Sequence, residues 1–269
     1  MLLLPVFKLF GLFKTKVIFC RMSADIHGKS NKFENDIVLK QAFFEPKDCV
    51  KSLDEQLSLL QDKYIVGAKV DSRYLEKRIG EPLSKGLVRV AVPKLSFLAK
   101  LSNIDDPYVE IGTLIESVCD LLEKQRDGKF THYRKGQLDQ NYIRCIKKIA
   151  LKRKLMEDNI PGDILILDVS TGGTYAGWTP RRAREDIINR NDRFALFGVD
   201  LAWIILLNPD RFQHCDNLSV DSVAEEYFSE DRAWECVLFF YYRGGKLEFG
   251  YRWGRRAYFD SGAAIALTN

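Results

Sequence analysis

Apolar positions along this chain follow two periods, and both are clearest in residues 161–211, PGDILILDVSTGGTYAGWTPRRAREDIINRNDRFALFGVDLAWIILLNPDR. Residues 164–167 form an unbroken apolar run between Pro161-Gly162 and Gly172-Gly173. A short run of this kind fits an interior strand covered on both faces, because a half-exposed strand alternates. Asp168 closes the run, so it either has a chemical task or ties the strand into its loop. Thr179 offers an N-cap hydroxyl and Pro180 suits the first helical position, which predicts a helix from Pro180 to about Phe194. Residues 199–207 are almost wholly apolar and end at Asn208-Pro209, which predicts a second interior strand. Strand, helix and strand in this order predict a right-handed crossover between parallel neighbours.

The same patterning organises the rest of the chain. Residues 50–64 carry Leu53, Leu57 and Leu60 at helical spacing and predict an amphipathic helix. Residues 64–70 and 87–92 read as short strands around the charged piece DSRYLEKRIGEPLSKG. Asp106-Pro107 starts a helix running to about Gln125, with Ile111, Leu114, Ile115, Val118 and Leu122 on one face. Glu116 lies off that stripe: it is either a solvated surface acid or an acid leaning over the sheet beside Asp168. A further helix is predicted from about Leu138 to Glu157, its exposed side made basic by Arg144, Lys147, Lys148, Lys152, Arg153 and Lys154. That side is either a solvated face or one that contacts phosphate. Residues 236–242 and 247–253 predict a hairpin turning on Gly244-Gly245, its aromatics packed across the strands. His214-Cys215 has no further ligand spacing nearby and reads as a surface turn.

Composition changes this picture at three points. With 46% hydrophobic residues in 269, the chain can bury a sizeable core in one large domain or two small ones. A net charge of +4 is mild, so any attraction to nucleic acid has to come from local clustering. Six cysteines with no C-x-x-C pair fit reduced thiols and a cytoplasmic location. The opening 24 residues, MLLLPVFKLFGLFKTKVIFCRMSA, are apolar and basic with no acid, and Lys8, Lys14 and Lys16 interrupt the run before it could span a membrane. They read either as an interfacial anchor or targeting leader, or as sequence upstream of a start at Met22. Residues 25–48 are mixed and polar, and no later stretch reads as a transmembrane span.

Candidate chemistry comes down to carboxylates. No P-loop, dinucleotide fingerprint, H-E-x-x-H or G-x-S-x-G is present, and His27, His132 and His214 lie far apart. Two or three acids at a strand end would suit a hard cation such as Mg²⁺ acting on a phosphodiester. Asp163 and Asp168, five apart on one strand, point to opposite faces unless a bulge intervenes. Asp168 is therefore the first candidate ligand, with Glu116 or Asp163 as the second.

Residues 162–209 resemble the core of the Uma-type family of restriction-endonuclease-like proteins, within the PD-(D/E)XK superfamily. The matching positions are Asp168-Val169 with Ser170-Thr171, then Asp186, Arg190 and Phe194, then Gly198-Val199, Trp203 and Asn208-Pro209. Asp168 stands where that family has Glu, and Ser170 where the superfamily has lysine. Arg190 at the helix lysine position can supply charge but not accept a proton. The resemblance implies an α/β or α+β fold with a mixed central sheet flanked by helices. The chain is expected to divide into an apolar basic leader or mis-assigned start at 1–24, an N-terminal helix and strand region at 25–105, and a nuclease-like core with the C-terminal hairpin at 106–269. The resemblance also implies Mg²⁺-dependent hydrolysis of nucleic acid, with Asp168, Asp163 and Glu116 as catalytic acids and Asp168 and Glu116 on the metal. Arg181, Arg184, Arg190, Lys147 and Lys148 would face phosphate. The alternative is a catalytically inactive binding or scaffold module of the same fold, with Asp168 bonded to the backbone of the Gly172-Gly173 loop.

Overall fold

A computed structural model describes residues 31–39, 50–214 and 217–268. The leader 1–24, most of the polar stretch 25–48 and Cys215 lie outside the described residues. Ser52 and Glu55 form a capping box that starts α1 (Leu53–Ser58), which continues into a π-helical turn over Leu59–Tyr64. Leu57 and Leu60 are buried, as their spacing predicts. Residues 64–70 form no strand, and their β pairing is a single isolated bridge from Val70 to Gly162. Asp71 accepts from the Tyr74 amide and caps α2 (Ser72–Gly80), a helix inside the charged piece DSRYLEKRIGEPLSKG.

The chain continues through β1 (Val88–Pro93), α3 (Leu95–Ser102), α4 (Ile111–Arg126), β2 (Phe130–His132), β3 (Ile143–Cys145) and α5 (Lys147–Asn159). It then forms β4 (Ile164–Thr171), α6 (Pro180–Asn189), β5 (Arg193–Ala195) and α7 (Gly198–Leu207). Four strands complete it: β6 (Ser219–Ser229), β7 (Ala233–Arg243), β8 (Lys246–Trp253) and β9 (Ser261–Leu267). The fold is α/β, with a mixed sheet in the order β1-β4-β9-β6-β7-β8-β2, while β3 adds to β6 and β5 to β9. Among the described residues, the directly bonded strand pairs are antiparallel except β6 with β9 and β2 with β8.

Every residue of β4 is buried, as its unbroken apolar run predicts. The strand after α6 is β5, and α6 ends at Asn189 instead of near Phe194. Strands β4 and β5 both run antiparallel to β9 along overlapping residues, so they are parallel to each other with β9 between them. The predicted strand over 199–207 is the helix α7, all ten residues of which are buried. A wholly buried run has no periodicity to separate strand from helix. Acids at its start decide the matter: Asp200 accepts from the Phe197 amide at 3.1 Å and Glu225 from the Gly198 amide at 2.6 Å, serving N–H groups that a helix start leaves open. The predicted apolar stripe of α4 is buried, and α4 packs on α7.

The edge strand β1 is closed by a side chain. Buried Gln56 donates to the Arg89 carbonyl and accepts from the Ala91 amide, so α1 occupies hydrogen-bonding positions that would otherwise await another strand. At the other side β7 and β8 form the predicted hairpin, with Gly244 at φ 58° and Gly245 at φ 81°, the left-handed pair a two-residue turn requires. Phe240 and Phe249 face each other across it, ring centroids 4.6 Å apart.

Candidate functional site

Asp168 sits on β4 directly opposite Arg89 of β1 and is 3% exposed. Arg89 grips it with two bonds, Nε to Oδ1 at 2.7 Å and Nη2 to Oδ2 at 3.1 Å, and Arg78 of α2 adds Nη2 to Oδ2 at 2.9 Å. Arg89 also donates to the carbonyls of Arg78 and Glu81, and Arg78 pairs with Glu81, so α2, β1 and β4 are tied at one point. Burial pushes the Asp168 carboxyl up, but the Arg89 and Arg78 guanidiniums outweigh it and hold the group below the usual carboxylate range. The Gly172-Gly173 loop is secured by other groups: Ser170 Oγ accepts from the Thr174 amide at 3.0 Å. Close packing against β9 also holds it, since a Cβ on Gly262 would lie 2.0 Å from the Gly172 carbonyl oxygen.

The other two acids are placed elsewhere. Asp163 precedes β4 and accepts from the Lys69 amide at 3.0 Å. Glu116 projects from α4 toward β2, where it accepts from the Gly136 amide at 2.7 Å and lies 2.9 Å from His132 Nε2. The His132 ring accepts the Arg134 amide proton at Nδ1. Burial raises the Glu116 carboxyl, while His132, the Gly136 amide and Lys135 bring it below its ordinary value. Strands β4 and β2 lie near opposite ends of the sheet, so Asp168 and Glu116 share no site. Among the described residues no group of three or more His, Cys, Asp or Glu is placed to hold a metal ion. Mg²⁺ does not fit this donor set: two guanidiniums occupy the lone pairs of Asp168 and would repel a divalent ion there.

The basic helix divides into surface and core. Lys147, Lys148 and Lys154 of α5 are exposed, whereas Arg153 is fully buried and Lys152 Nζ turns inward to the Ile187 carbonyl at 3.1 Å, near the end of α6. Arg153 bridges Glu157 at 2.8 Å and Asp200 at 3.0 Å, and Glu157 accepts from the Leu95 and Ser96 amides at the start of α3. Burial pushes Asp200 upward, against the pull of Arg153. It pushes Glu225, bonded to Ser222 and the Gly198 amide, up to about 7. The three acids serve helix starts inside the core, Glu157 at α3 and Asp200 and Glu225 at α7, and Arg153 pairs with the first two.

An open groove of about 310 Å³ lies between α6, the start of α5 and the β6–β7 pair. Its lining includes Phe33, Arg181, Arg184, Trp234, Glu235 and Arg255. Arg181 stacks 4.6 Å over Phe33 and bonds to Asp36, Nε to Oδ2 at 2.8 Å. Arg144, which pairs with the groove residue Glu226, stacks 4.3 Å over Trp234, and Arg255 pairs with Glu235. Arg184 is spent on the fold, its three nitrogens donating to the Val223 and Glu225 carbonyls and Glu226. Arg190 pairs with Asp186 at 2.8 Å and does not line the groove. Of the five residues expected to face phosphate, Arg181 and Arg184 line the groove, and Arg181 is the more exposed, at 29% of its side chain against 14%. Phe33, Trp234 and Arg255 escaped the sequence reading because they come from three separate segments, and Arg144, expected on the basic helix, stands on β3. No family model, curated protein or solved structure matches this chain, so its class rests on its own geometry: a mixed α/β protein with a sealed carboxylate and an open arginine–aromatic groove.

Proposed function

We propose that this protein is a non-catalytic binding module that takes single-stranded nucleic acid in the α6–β7 groove. The observation carrying this reading is the pair of arginine–aromatic stacks at the groove, Arg181 on Phe33 and Arg144 on Trp234. Aromatic and guanidinium planes stack on nucleobases without regard to sequence, and arginine heads supply phosphate contacts. The Arg144 and Arg255 side chains are about half exposed, at 53% and 49%. The Arg255–Glu235 pair lies at the surface and has small net worth, and Arg144 can exchange Glu226 for phosphate because Glu226 keeps Arg184 as its partner. A volume of about 310 Å³ falls at the small end of ligand sites. The hydrolytic alternative lacks this support, because Asp168 is engaged by Arg78 and Arg89 and Glu116 by His132.

Anisotropy of a labelled oligonucleotide tests the proposal. Binding should weaken steeply with salt, and Arg181→Ala together with Trp234→Ala should lower affinity by about tenfold or more. Supercoiled DNA with Mg²⁺ or Mn²⁺ should stay intact. Absence of binding at low salt would overturn the groove assignment. Nicking by the wild type that disappears in Asp168→Ala would overturn the non-catalytic reading.

A further inference from the structure

Glu185, Glu226 and Glu235 line the groove and are engaged differently. Glu226 accepts from Arg144 at 2.6 Å and from Arg184 at 2.8 Å, and Glu235 is held by Arg255 and by Trp253 Nε1 at 3.3 Å. Among the described residues Glu185 of α6 meets a cation only in Lys32, whose ammonium stands 3.5 Å away on a side chain 65% exposed. That separation is longer than an ordinary hydrogen bond, so the carboxylate keeps lone pairs for another donor. Its position is well defined by its neighbours. Glu185 follows Arg181 by one turn of α6 and shares its face. The Lys32 ammonium that faces it also lies 5.1 Å from the centre of the Phe33 ring, the ring on which Arg181 stacks. A guanidinium, a flat ring and a carboxylate with open lone pairs therefore surround one spot, which the Lys32 head occupies as a mobile donor.

We infer that Glu185 makes the groove select guanine in the single strand it takes, an inference that rests on the nucleic-acid reading above. A bare carboxylate repels a phosphate backbone, and that cost is offset only where a base brings hydrogen-bond donors to it. Two carboxylate oxygens side by side accept best from two adjacent donors, as they do from arginine. Guanine is the base that presents such a pair, N1–H and the 2-amino group, on the Watson–Crick edge that a single strand leaves open. Adenine and cytosine set one amino donor beside a ring-nitrogen acceptor, and thymine and uracil set one N–H between two carbonyls. Each of these turns a lone pair toward the second carboxylate oxygen. With a guanine edge in place of the Lys32 ammonium, Arg181 takes the adjoining phosphate and Lys32, mostly in solvent, turns to the backbone. Stacking in the groove is indifferent to sequence, and Glu185 supplies the discrimination.

Anisotropy of short labelled oligothymidylates, each with one central base exchanged, tests this. The strand with a central guanine should bind about tenfold more tightly than the all-thymine strand, and hypoxanthine, which lacks the 2-amino group, should forfeit most of that gain. Glu185→Ala should bring the guanine strand down to the thymine strand without weakening the latter. Its melting temperature should match the wild type, because only the ion pair with exposed Lys32 is lost. Glu185→Gln, which sets a donor beside an acceptor, should shift the preference to adenine. Equal wild-type binding of the guanine and thymine strands, or a guanine preference retained in either variant, overturns the inference and leaves the groove reading standing. Binding of no strand at low salt fails the groove reading itself, and the base preference falls with it.

Discussion

The Asp168 clamp and the α6–β7 groove contain the same chemical parts, arginines facing carboxylates, and use them in opposite ways. In the clamp both carboxylate oxygens accept from guanidinium nitrogens, Arg78 and Arg89 have side chains only 5% and 13% exposed, and Arg89 donates onward to backbone carbonyls. In the groove Arg144 and Arg255 keep about half of their side-chain surface in solvent. Desolvated charges tolerate neither loss nor exchange of a partner, whereas exposed ones exchange partners at little cost. The acid that closes the apolar run of β4 lies inside the strand, and its burial there calls first for a counter-charge on the neighbouring strand.

The largest expected effect breaks the clamp. Arg89→Ala leaves Asp168 buried with half of its counter-charge and frees the Arg78 and Glu81 carbonyls, and should cost about 3–5 kcal/mol in denaturant unfolding. Should that variant unfold at the same denaturant midpoint as Arg181→Ala, the distinction between the two clusters fails.

Next in size is a pH effect from the core acids at the start of α7. Glu225 titrates near 7 in the folded protein and near 4.5 unfolded, so between those values the folded state holds the extra proton. Stability from this group thus falls as pH rises from about 4.5 to 7 and is level above, by about 3 kcal/mol in all. Asp200, also raised by burial, acts in the same direction. Asp168, Glu116 and Asp36 are depressed and act oppositely, their stabilisation being lost as pH falls below the ordinary carboxylate range. Glu225→Gln keeps an acceptor for the Gly198 amide and offers a donor to Ser222 Oγ, whose own hydrogen can serve the Leu196 carbonyl. That variant should flatten the slope in melting temperature between pH 5 and 7. A slope as steep as that of the wild type would assign the effect to another group.

These two cases show what the sequence could convey. Local signals were legible: the capped start of α6, the α4 stripe, the buried run of β4 and the Gly244-Gly245 turn all report on neighbours within a few residues. Residues 199–207 read as a strand because complete burial erases the periodicity that tells helix from strand, and of the two carboxylates that serve the helix start only Asp200 is local, Glu225 lying 27 positions from Gly198. The partners of Asp168 are equally remote: Arg89 is separated from it by 79 positions, and nothing in DILILDVST signals a guanidinium on the adjacent strand. Charge runs misled for a related reason, since Lys152 and Arg153 look solvated in sequence yet serve carbonyls and carboxylates inside. The groove was the least legible part, because its stacks join residues 33 with 181 and 144 with 234.

The smallest expected change in stability belongs to the groove, and it is the sharpest test of the comparison. Arg181 has 29% of its side chain in solvent and one carboxylate partner, Asp36, and its guanidinium lies over Phe33. Arg181→Ala removes an ion pair and a stack that together should contribute about 1 kcal/mol or less. The depressed Asp36 carboxyl should rise toward its ordinary value as that partner goes, readable as a carbon-13 shift titration at low pH. The same substitution should remove most of the oligonucleotide affinity, so stability and binding part company at this residue. Arg89→Ala should show the reverse, a large loss of stability with affinity unchanged wherever the protein remains folded, because Arg89 faces Asp168 on the far side of β4 from β9 and does not line the groove.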